Sequence, residues 1–197
     1  MIYLSRDNPT KKDSPKVTET KKKIRDAFIT LYAKQPIEKI DIKSITDLAG
    51  LNRGTFYVYY LDIYDLLAQI EASYYEHIQN NVKYLVRTLF YAETVEEEFA
   101  VNFFRENLAY MKVLIATPGK SKLPEVLKEK IRDAMRDELK KQNIYNEPQK
   151  ERMLEYLLEY IISAHFGVIT RWIANDLDLS AVEIISFLKS TFNKICD

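Results

Sequence analysis

Two short helical segments joined by a turn at Gly50 constrain the fold of this 197-residue chain most strongly. Asp41 stands where the N-cap of a helix is expected, before apolar side chains that recur with helical spacing. Gly50 follows, where a left-handed residue commonly ends a helix, and Asn52 can cap the next helix. Residues 42 to 60 therefore predict a helix, a tight turn and a second helix, the arrangement that places its second helix in the major groove of DNA.

The second helix is rich in aromatic residues, since the chain runs AGLNRGTFYVYY from position 49 to position 60. Phe56 and Tyr60 share one face and can pack on neighbouring helices. The residues that lie largely outside that face are Arg53, Thr55, Tyr57, Val58 and Tyr59. A tyrosine can contact sugars, thymine methyl groups and phosphates, and an arginine can contact phosphate or guanine, so these residues indicate a DNA-contacting face. The alternative is that Tyr57 and Tyr59 only cover a small core.

The preceding helix is predicted from about Val17 to Lys34. Its apolar stripe consists of Ile24, Ala27, Phe28 and Leu31. In the helix that Asp41 caps, the side chains expected to face inward are Ile42, Ile45, Leu48 and Ala49. With the aromatic helix, these segments predict a three-helix N-terminal domain over residues 17–61, after a flexible basic tail over residues 1–16.

The remaining residues, 62–197, predict a helical ligand-binding and dimerisation domain. Helix four begins at Asp62 and extends to about Tyr91. Thr94 with Glu97 is predicted to cap helix five, and Pro124 suits the first turn of helix six. Asn146 with Gln149 is predicted to open helix seven, which extends to about Asn175, and Ser180 with Glu183 to open helix eight. Only four glycines and six prolines occur, which together with these patterns predicts an all-α protein.

The charge is zero overall but unevenly distributed. Residues 1–61 contain 12 lysines and arginines against 7 acids, and the rest contains 17 against 22. A basic N-terminal part is typical of nucleic-acid binding, although a solvated tail containing Lys11, Lys12 and Lys16 would give the same balance. The single cysteine, Cys196, and the lack of a long apolar run predict a cytoplasmic protein without a membrane segment.

No pattern indicates catalysis, a metal or a cofactor. The fragment TPGKSK ends like a phosphate-binding loop but lacks the earlier glycine and the preceding strand. His77 and His165 have no neighbours at metal-ligand spacing, and His165 is interpreted as a hydrogen-bonded core residue. We therefore expect a protein that is not an enzyme.

The stretch from Thr20 to Leu67 resembles the DNA-binding region of the TetR (tetracycline-repressor-like) family of transcription regulators. The residues that carry the resemblance are Ala49-Gly50-Leu51, Asn52, Thr55-Phe56-Tyr57, Tyr59-Tyr60, Asp62 and Asp65-Leu66-Leu67. The resemblance implies that Tyr57 contacts phosphate, that Arg53, Thr55 and Val58 lie nearest the bases, and that Ser44 contacts the backbone. The full set of predicted DNA-binding residues is Lys43, Ser44, Asn52, Arg53, Gly54, Thr55, Tyr57, Val58 and Tyr59.

One position departs from the family pattern, because Ile63 stands where a phosphate-contacting lysine is usual. The loss of one such contact would flatten the salt dependence of DNA binding by about one unit of log-log slope. We expect that the amides at the start of helix four can still face a phosphate.

The resemblance also implies a homodimer formed by the last two helices. Their surplus apolar surface agrees with this, and the predicted interface residues are Ser163, Gly167, Ile184, Leu188 and Phe192. A fuller monomeric core is the alternative. A small-molecule effector is expected among the aromatic residues of helices five and seven, namely Phe103, Tyr110, Met111, Tyr160 and His165, with ordinary core packing as the alternative.

The segments FFRENLAYMKVLI and RWIANDLDLSAVEI resemble a TetR subgroup that includes regulators of dihydroxyacetone utilisation. Together these features predict a homodimeric regulator that binds a pseudo-palindromic double-stranded operator and acts as a ligand-released repressor. A TetR-like activator and a helical protein-interaction module that has lost DNA binding are the alternatives.

Overall fold

The computed structural model describes residues 14–90, 105–141 and 148–196. Within these ranges the chain is all-helical, as expected, with no strand. The helices are α1 (Pro15–Tyr32), α2 (Ile42–Ala49), α3 (Arg53–Tyr59), α4 (Ile63–Phe90), α5 (Leu108–Leu114), α6 (Leu123–Lys141), α7 (Pro148–Ala174) and α8 (Ala181–Cys196), and a 3-10 turn spans Ile37–Lys39. The chain divides into an N-terminal unit, Met1–Ala68, and a C-terminal unit, Gln69–Asp197.

Helix α1 begins earlier than the sequence predicted. The Ser14 hydroxyl accepts a hydrogen bond from the Val17 amide at 3.4 Å, and Pro15 occupies the first turn, where it needs no hydrogen-bond partner for its nitrogen. Lys16 therefore lies in a helix and not in the flexible tail to which we had assigned it. Thirteen residues before Ser14 lie outside the described ranges.

The core of the N-terminal unit is formed by large side chains from three helices. In α1, α2 and α3, the side chains with no exposed surface are Ile24, Phe28, Ile45 and Phe56. Tyr60, just after α3, is also buried, and its hydroxyl accepts a hydrogen bond from Arg25 Nε at 3.3 Å. This contact ties the end of α3 to α1.

The inward face of α2 differs from the prediction at one position. Leu48 is 53% exposed, whereas Thr46 is buried. Burial of Thr46 is tolerated because its hydroxyl donates within the helix, 3.0 Å from the carbonyl oxygens of both Ile42 and Lys43. The prediction that Leu48 faces inward is therefore wrong.

The first turns of α4 belong to the N-terminal unit, so the division falls inside α4 and not at Asp62, where the domain boundary was expected. The Asp62 carboxylate caps this helix, and Leu66 in its second turn is fully buried. The predicted capping residues Thr94, Glu97 and Asn146, together with Phe103, lie outside the described residues.

The core of the C-terminal unit combines α6, α7 and α8 with Val86 of α4. Its buried residues on α7 and α8 are Leu154, Leu158, Ile161, Ile162, Trp172, Ala181, Ile184, Ile185, Leu188 and Phe192. The Trp172 indole donates to the Leu179 carbonyl at 2.8 Å, which fixes the connection between the two helices. The predicted cap of α8 is confirmed, because the Ser180 amide donates to Glu183 Oε2 at 2.8 Å and the Glu183 amide donates to Ser180 Oγ at 3.2 Å.

None of the described helices is both long enough and apolar enough to cross a membrane. In the same part of the chain, His, Cys, Asp and Glu side chains form no group that could hold a metal ion.

Candidate nucleic-acid interface

The turn between α2 and α3 is fixed by local hydrogen bonds. Gly50 adopts φ +67°, a left-handed conformation that residues with a Cβ adopt only at a cost. The amides of Gly50 and Leu51 donate to the carbonyl oxygens of Asp47 and Thr46 at 3.2 and 2.9 Å. The Asn52 side chain then accepts from the Thr55 amide at 3.0 Å and starts α3. The predicted helix, turn and helix are thus present, with the expected caps.

The side chains of α3 and of Tyr60, which follows it, divide between a buried and an exposed face. Phe56 is fully buried and Tyr60 nearly so, whereas Tyr57 is 46% and Val58 67% exposed. Arg53 and Gly54 are exposed as well. Because the buried Phe56 anchors α3 in the core of the N-terminal unit, the exposed side chains of α3 project from a fixed helix. We call the exposed residues Arg53, Gly54, Tyr57 and Val58 the outer surface of α3.

Arg53 is held by Tyr57, one turn later on the same helix. Its Nη2 atom donates to the Tyr57 hydroxyl at 3.2 Å, and the guanidinium carbon lies 5.8 Å from the centre of the Tyr57 ring. The sequence placed both residues outside the packed face but did not indicate this contact.

Asn52 and Thr55 serve the helix cap. Besides accepting from the Thr55 amide, Asn52 Oδ1 accepts from the Thr55 hydroxyl at 3.1 Å. A Cβ atom at Gly54 would lie 3.2 Å from the same oxygen, closer than most such contacts. The absence of a side chain at Gly54 therefore leaves room for the Asn52 side chain that caps α3.

The two predicted DNA-binding residues of α2 lie in its first turn. Lys43 Nζ lies 2.7 Å from Asp47 Oδ2, and this hydrogen bond together with the charge of Asp47 raises the pKa of Lys43. The Ser44 amide donates to Asp41 Oδ1 at 2.7 Å, which lowers the pKa of Asp41. Lys43 is exposed and Ser44 is half-buried. A phosphate at this helix would compete with Asp47 for Lys43.

Tyr59 differs from the other candidates on α3, because it is half-buried. Lys21 Nζ of α1 lies 5.8 Å from the centre of its ring, and the Tyr60 ring packs edge-on at 6.4 Å. Tyr59 therefore lies on the flank of α3 nearest α1, not at the centre of the outer surface.

At the start of α4, two of the amides that we expected to face a phosphate are already hydrogen-bonded. Asp62 Oδ1 accepts from the amides of Tyr64 and Asp65, both at 2.8 Å, and Asp65 Oδ2 accepts from the Leu61 amide at 2.8 Å. The Asp62 carboxylate thus occupies two of the donors that a phosphate would need at this helix start. Ile63 is half-buried, and Tyr64 is 55% exposed.

The candidate effector residues do not form one group. Met111 and His165 are buried, and Tyr110 is half-buried with its ring 5.5 Å from that of Tyr74. Tyr160, however, is 60% exposed on the other side of α7, because five residues separate it from His165 along the helix. Tyr160 is therefore removed from the candidate pocket, and Phe103 lies outside the described residues.

His165 is confirmed as a hydrogen-bonded core residue. Its Nδ1 atom lies 2.8 Å from the Ile161 carbonyl oxygen, and the Phe192 ring packs edge-on at 6.4 Å. Burial is the main influence on this side chain and lowers its pKa from the ordinary value of 6.5, with hydrogen bonds to the Ile161 and Leu188 backbone opposing the shift.

This burial predicts a loss of stability in weak acid. Because the folded-state pKa of His165 is lower than the unfolded-state pKa, the unfolded chain binds the proton more readily. The contribution of His165 to the free energy of unfolding should be constant well above pH 6.5 and fall as the pH drops below it, by at most about 1.4 kcal/mol per pH unit. Urea titrations between pH 8 and pH 5 measure this, with His165→Gln as the control. If both proteins show the same pH profile, His165 does not contribute.

The predicted interface residues also divide into two sets. Ile184, Leu188 and Phe192 are between 2% and 7% exposed and belong to the core of their own C-terminal unit, so they are not available to a second copy. Ser163 and Gly167 are exposed on α7. The inclusion of the three α8 residues in the interface is corrected accordingly.

An exposed apolar face of α7 contains those two small residues. Met153, Tyr156 and Tyr160 are 66%, 76% and 60% exposed. With Ser163 and Gly167 they recur every three or four residues and so follow one side of the helix. We call these five residues the α7 face. On the flank nearest α6, Glu155 forms a two-point ion pair with Arg136 at 2.8 Å, and Glu159 pairs with Arg132.

Comparisons with known proteins identify relatives of this fold. Residues 98–194 match the family model TetR_C_8, described as a transcriptional regulator C-terminal region. No protein of curated function matches the sequence.

Three similar solved structures share 17% to 19% sequence identity with the chain, which shows the fold alone. The dihydroxyacetone kinase operon activator DhaS has 19% identity, covers 86% of this chain and 91% of its own, and has a TM-score of 0.54. A TetR transcriptional regulator from Streptococcus agalactiae has 17% identity, covers 90% and 95%, and has a TM-score of 0.55. The fatty acid degradation regulator FadR from Bacillus halodurans has 17% identity, covers 90% and 94%, and has a TM-score of 0.56.

Proposed function

We propose that this chain is a TetR-like transcriptional regulator that binds a specific double-stranded operator in the cytoplasm through the outer surface of α3. The observation that carries the proposal is the exposure of Arg53, Tyr57 and Val58 on a helix that follows a glycine turn and is anchored by the buried Phe56. A cation, a hydroxyl and an aliphatic group then face outward together, which are the groups that distinguish base pairs and phosphates in the major groove.

Each residue has a proposed role. Arg53 contacts a guanine edge, and Val58 contacts thymine methyl groups because it is the most exposed apolar side chain of α3. Tyr57 donates its hydroxyl proton to a phosphate, while Lys43 and Ser44 contact the backbone from α2. Asn52 and Gly54 hold the start of α3 in place. Thr55 and Tyr59 are at the edges of the surface.

Replacement of Arg53 tests the proposal. Arg53→Ala should weaken operator binding by about 1 to 3 kcal/mol, roughly 5- to 150-fold, and should relax the preference at one base pair of each half-site. Titration of labelled duplexes measures both effects. Arg105→Ala, which removes an exposed arginine of the C-terminal unit, is the matched control and should change neither. Equal losses in the two variants would rule out a base contact by Arg53.

The regulator is proposed to act as a homodimer that pairs through the α7 face. That face combines exposed aromatic side chains with two small residues, which permit close approach of a second helix. A two-fold axis would present two copies of α3 to half-sites about one helical turn, 34 to 36 Å, or a little more apart. The operator should therefore be a pseudo-palindrome.

A small-molecule effector is proposed to bind in the C-terminal unit near Tyr110 and Met111. There the Tyr74 hydroxyl donates to Asn107 Oδ1 at 2.8 Å, so polar groups lie beside aromatic ones, as is common in ligand sites between helices. We propose that the ligand releases a repressor from DNA. Since one similar structure is named an operon activator, activation is the alternative, and a reporter gene under the operator distinguishes the two.

Effector binding should be coupled to DNA binding. If the ligand favours the conformation unfit for DNA, operator affinity should fall by about 1 to 3 kcal/mol, roughly 5- to 150-fold, and operator DNA should weaken ligand binding by the same factor. Metabolites that stabilise the free protein thermally can be titrated with and without operator. A ligand whose affinity is the same in both titrations would contradict this coupling.

The start of α4 favours a second candidate, a protein-interaction module without DNA binding. The Asp62 carboxylate occupies two of the amides there, and Ile63 supplies no charge. A module of this kind would bind no duplex, whereas the proposed regulator binds all duplexes weakly in low salt and one sequence strongly.

A further inference from the structure

The contact of Arg53 with a tyrosine differs from the contacts of three lysines in the N-terminal unit, which pair with carboxylates. Lys43 pairs with Asp47 at 2.7 Å, Lys22 with Asp26 at 2.6 Å, and Lys23 with Glu19 at 3.0 Å. Arg53 has no carboxylate partner within the described ranges, and its recorded contact is with the neutral tyrosine. Its charge is therefore oriented without being neutralised.

The orientation of Arg53 derives from the core. Phe56 is fully buried, and the Tyr57 ring packs edge-on against it, with 5.7 Å between centroids and 86° between planes. The Tyr57 hydroxyl in turn accepts from Arg53 Nη2. A free arginine samples many rotamers, and ordering it on DNA reduces affinity. The contacts of Phe56 with Tyr57, and of Tyr57 with Arg53, limit the rotamers that Arg53 adopts in the absence of DNA.

We propose that Tyr57 is a positioning residue for base discrimination, which it exerts by orienting Arg53 towards a guanine. This inference rests on the proposed function and goes beyond the phosphate contact assigned to Tyr57. The two roles are compatible, because a hydroxyl that accepts from Arg53 retains its own proton for a phosphate oxygen. Tyr57 thereby contributes both to the contact with the DNA backbone and to the preference for one base sequence.

Tyr57→Phe separates the two roles, since it removes the hydroxyl and keeps the ring. Discrimination is the ratio of affinity for the operator to affinity for a duplex altered at the base pair that Arg53→Ala identifies. Tyr57→Phe should lower this ratio roughly two- to tenfold, the worth of one hydrogen bond. In the Arg53→Ala background the same change should leave the ratio unaltered, because no guanidinium remains to be oriented.

Tyr64→Phe is the matched control, because Tyr64 is an exposed tyrosine of the same unit and shows no contact with Arg53. It should leave discrimination unchanged. Thermal unfolding verifies that each variant is folded, and titrations at several salt concentrations report phosphate contacts separately.

The results distinguish this inference from the proposed function. If Tyr57→Phe lowers affinity for all duplexes equally and preserves discrimination, Tyr57 contacts phosphate only and the inference is wrong. It is also wrong if Tyr57→Phe lowers discrimination equally with and without Arg53. A wild type that prefers no sequence would refute the proposed function itself, and the inference with it.

Discussion

Tyr160→Glu should convert the proposed dimer into a monomer that is still folded. Tyr160 is 60% exposed at the middle of the α7 face, so its replacement should not disturb the core of its own protomer. In a two-fold symmetric dimer, however, the substitution would place an unpaired carboxylate from each protomer in the interface. Removing one partner of a buried charge pair costs about 3 to 5 kcal/mol, and an unpaired buried carboxylate should cost no less. The dissociation constant should rise more than a hundredfold.

Sedimentation at micromolar concentration measures this effect. Tyr64→Glu, at an exposed tyrosine outside the C-terminal unit, should remain as dimeric as the wild type. The Tyr160→Glu monomer should also bind the full operator much more weakly, because two half-sites no longer act together. A wild type that is monomeric, or a Tyr160→Glu variant that stays dimeric, would reject the α7 face as the interface.

Leu188→Glu should instead unfold the C-terminal unit. Leu188 is 2% exposed and packs in the core with Phe192 and Trp172. The substitution removes an apolar side chain, for which Leu→Ala changes cost 2 to 5 kcal/mol, and adds a buried charge. The total of at least about 4 kcal/mol is a large part of the stability of a typical domain.

Phe187→Glu provides the matched control, since it makes the same change one residue earlier, at a side chain that is 54% exposed. Urea unfolding followed by helical circular dichroism should show a transition for Phe187→Glu and Tyr160→Glu and none for Leu188→Glu at ordinary temperature. A stable but monomeric Leu188→Glu protein would show that α8 forms the dimer interface after all.

The N-terminal elements were predictable because their signals are local. Asp41, Gly50 and Asn52 act on amides and dihedral angles within a few residues of themselves, and all three have the predicted roles. The inward positions of Phe56 and Tyr60 followed from helical spacing. The contact between Arg53 and Tyr57 was not predicted, because helical spacing allows it without requiring it.

The faces of α7 and α8 were harder to assign for a physical reason. An apolar stripe such as Ile184, Leu188 and Phe192 looks the same whether its own protomer or a second copy covers it. Tyr160 and His165 illustrate the same difficulty, since which side of α7 is inside depends on where α6 and α8 pack. Periodicity defines a face but does not identify what covers it.

The capping carboxylates of α4 show how one residue can have opposing effects. Asp62 matches the TetR-like pattern at its position, and it also occupies two of the amides that we expected to face a phosphate. With Ile63 beside it, α4 should contribute little to DNA affinity, so binding depends on α2 and α3.

The most direct test of sequence-specific operator binding is selection of duplexes by the purified full-length protein from a random pool at near-physiological salt. We expect enrichment of one pseudo-palindromic sequence whose half-sites are about one helical turn or slightly more apart. Each half-site should contain a guanine that is no longer enriched when the selection is repeated with Arg53→Ala. A pool that stays random, or a selected sequence that Arg53→Ala recovers unchanged, would contradict the proposal that this chain regulates transcription through the outer surface of α3.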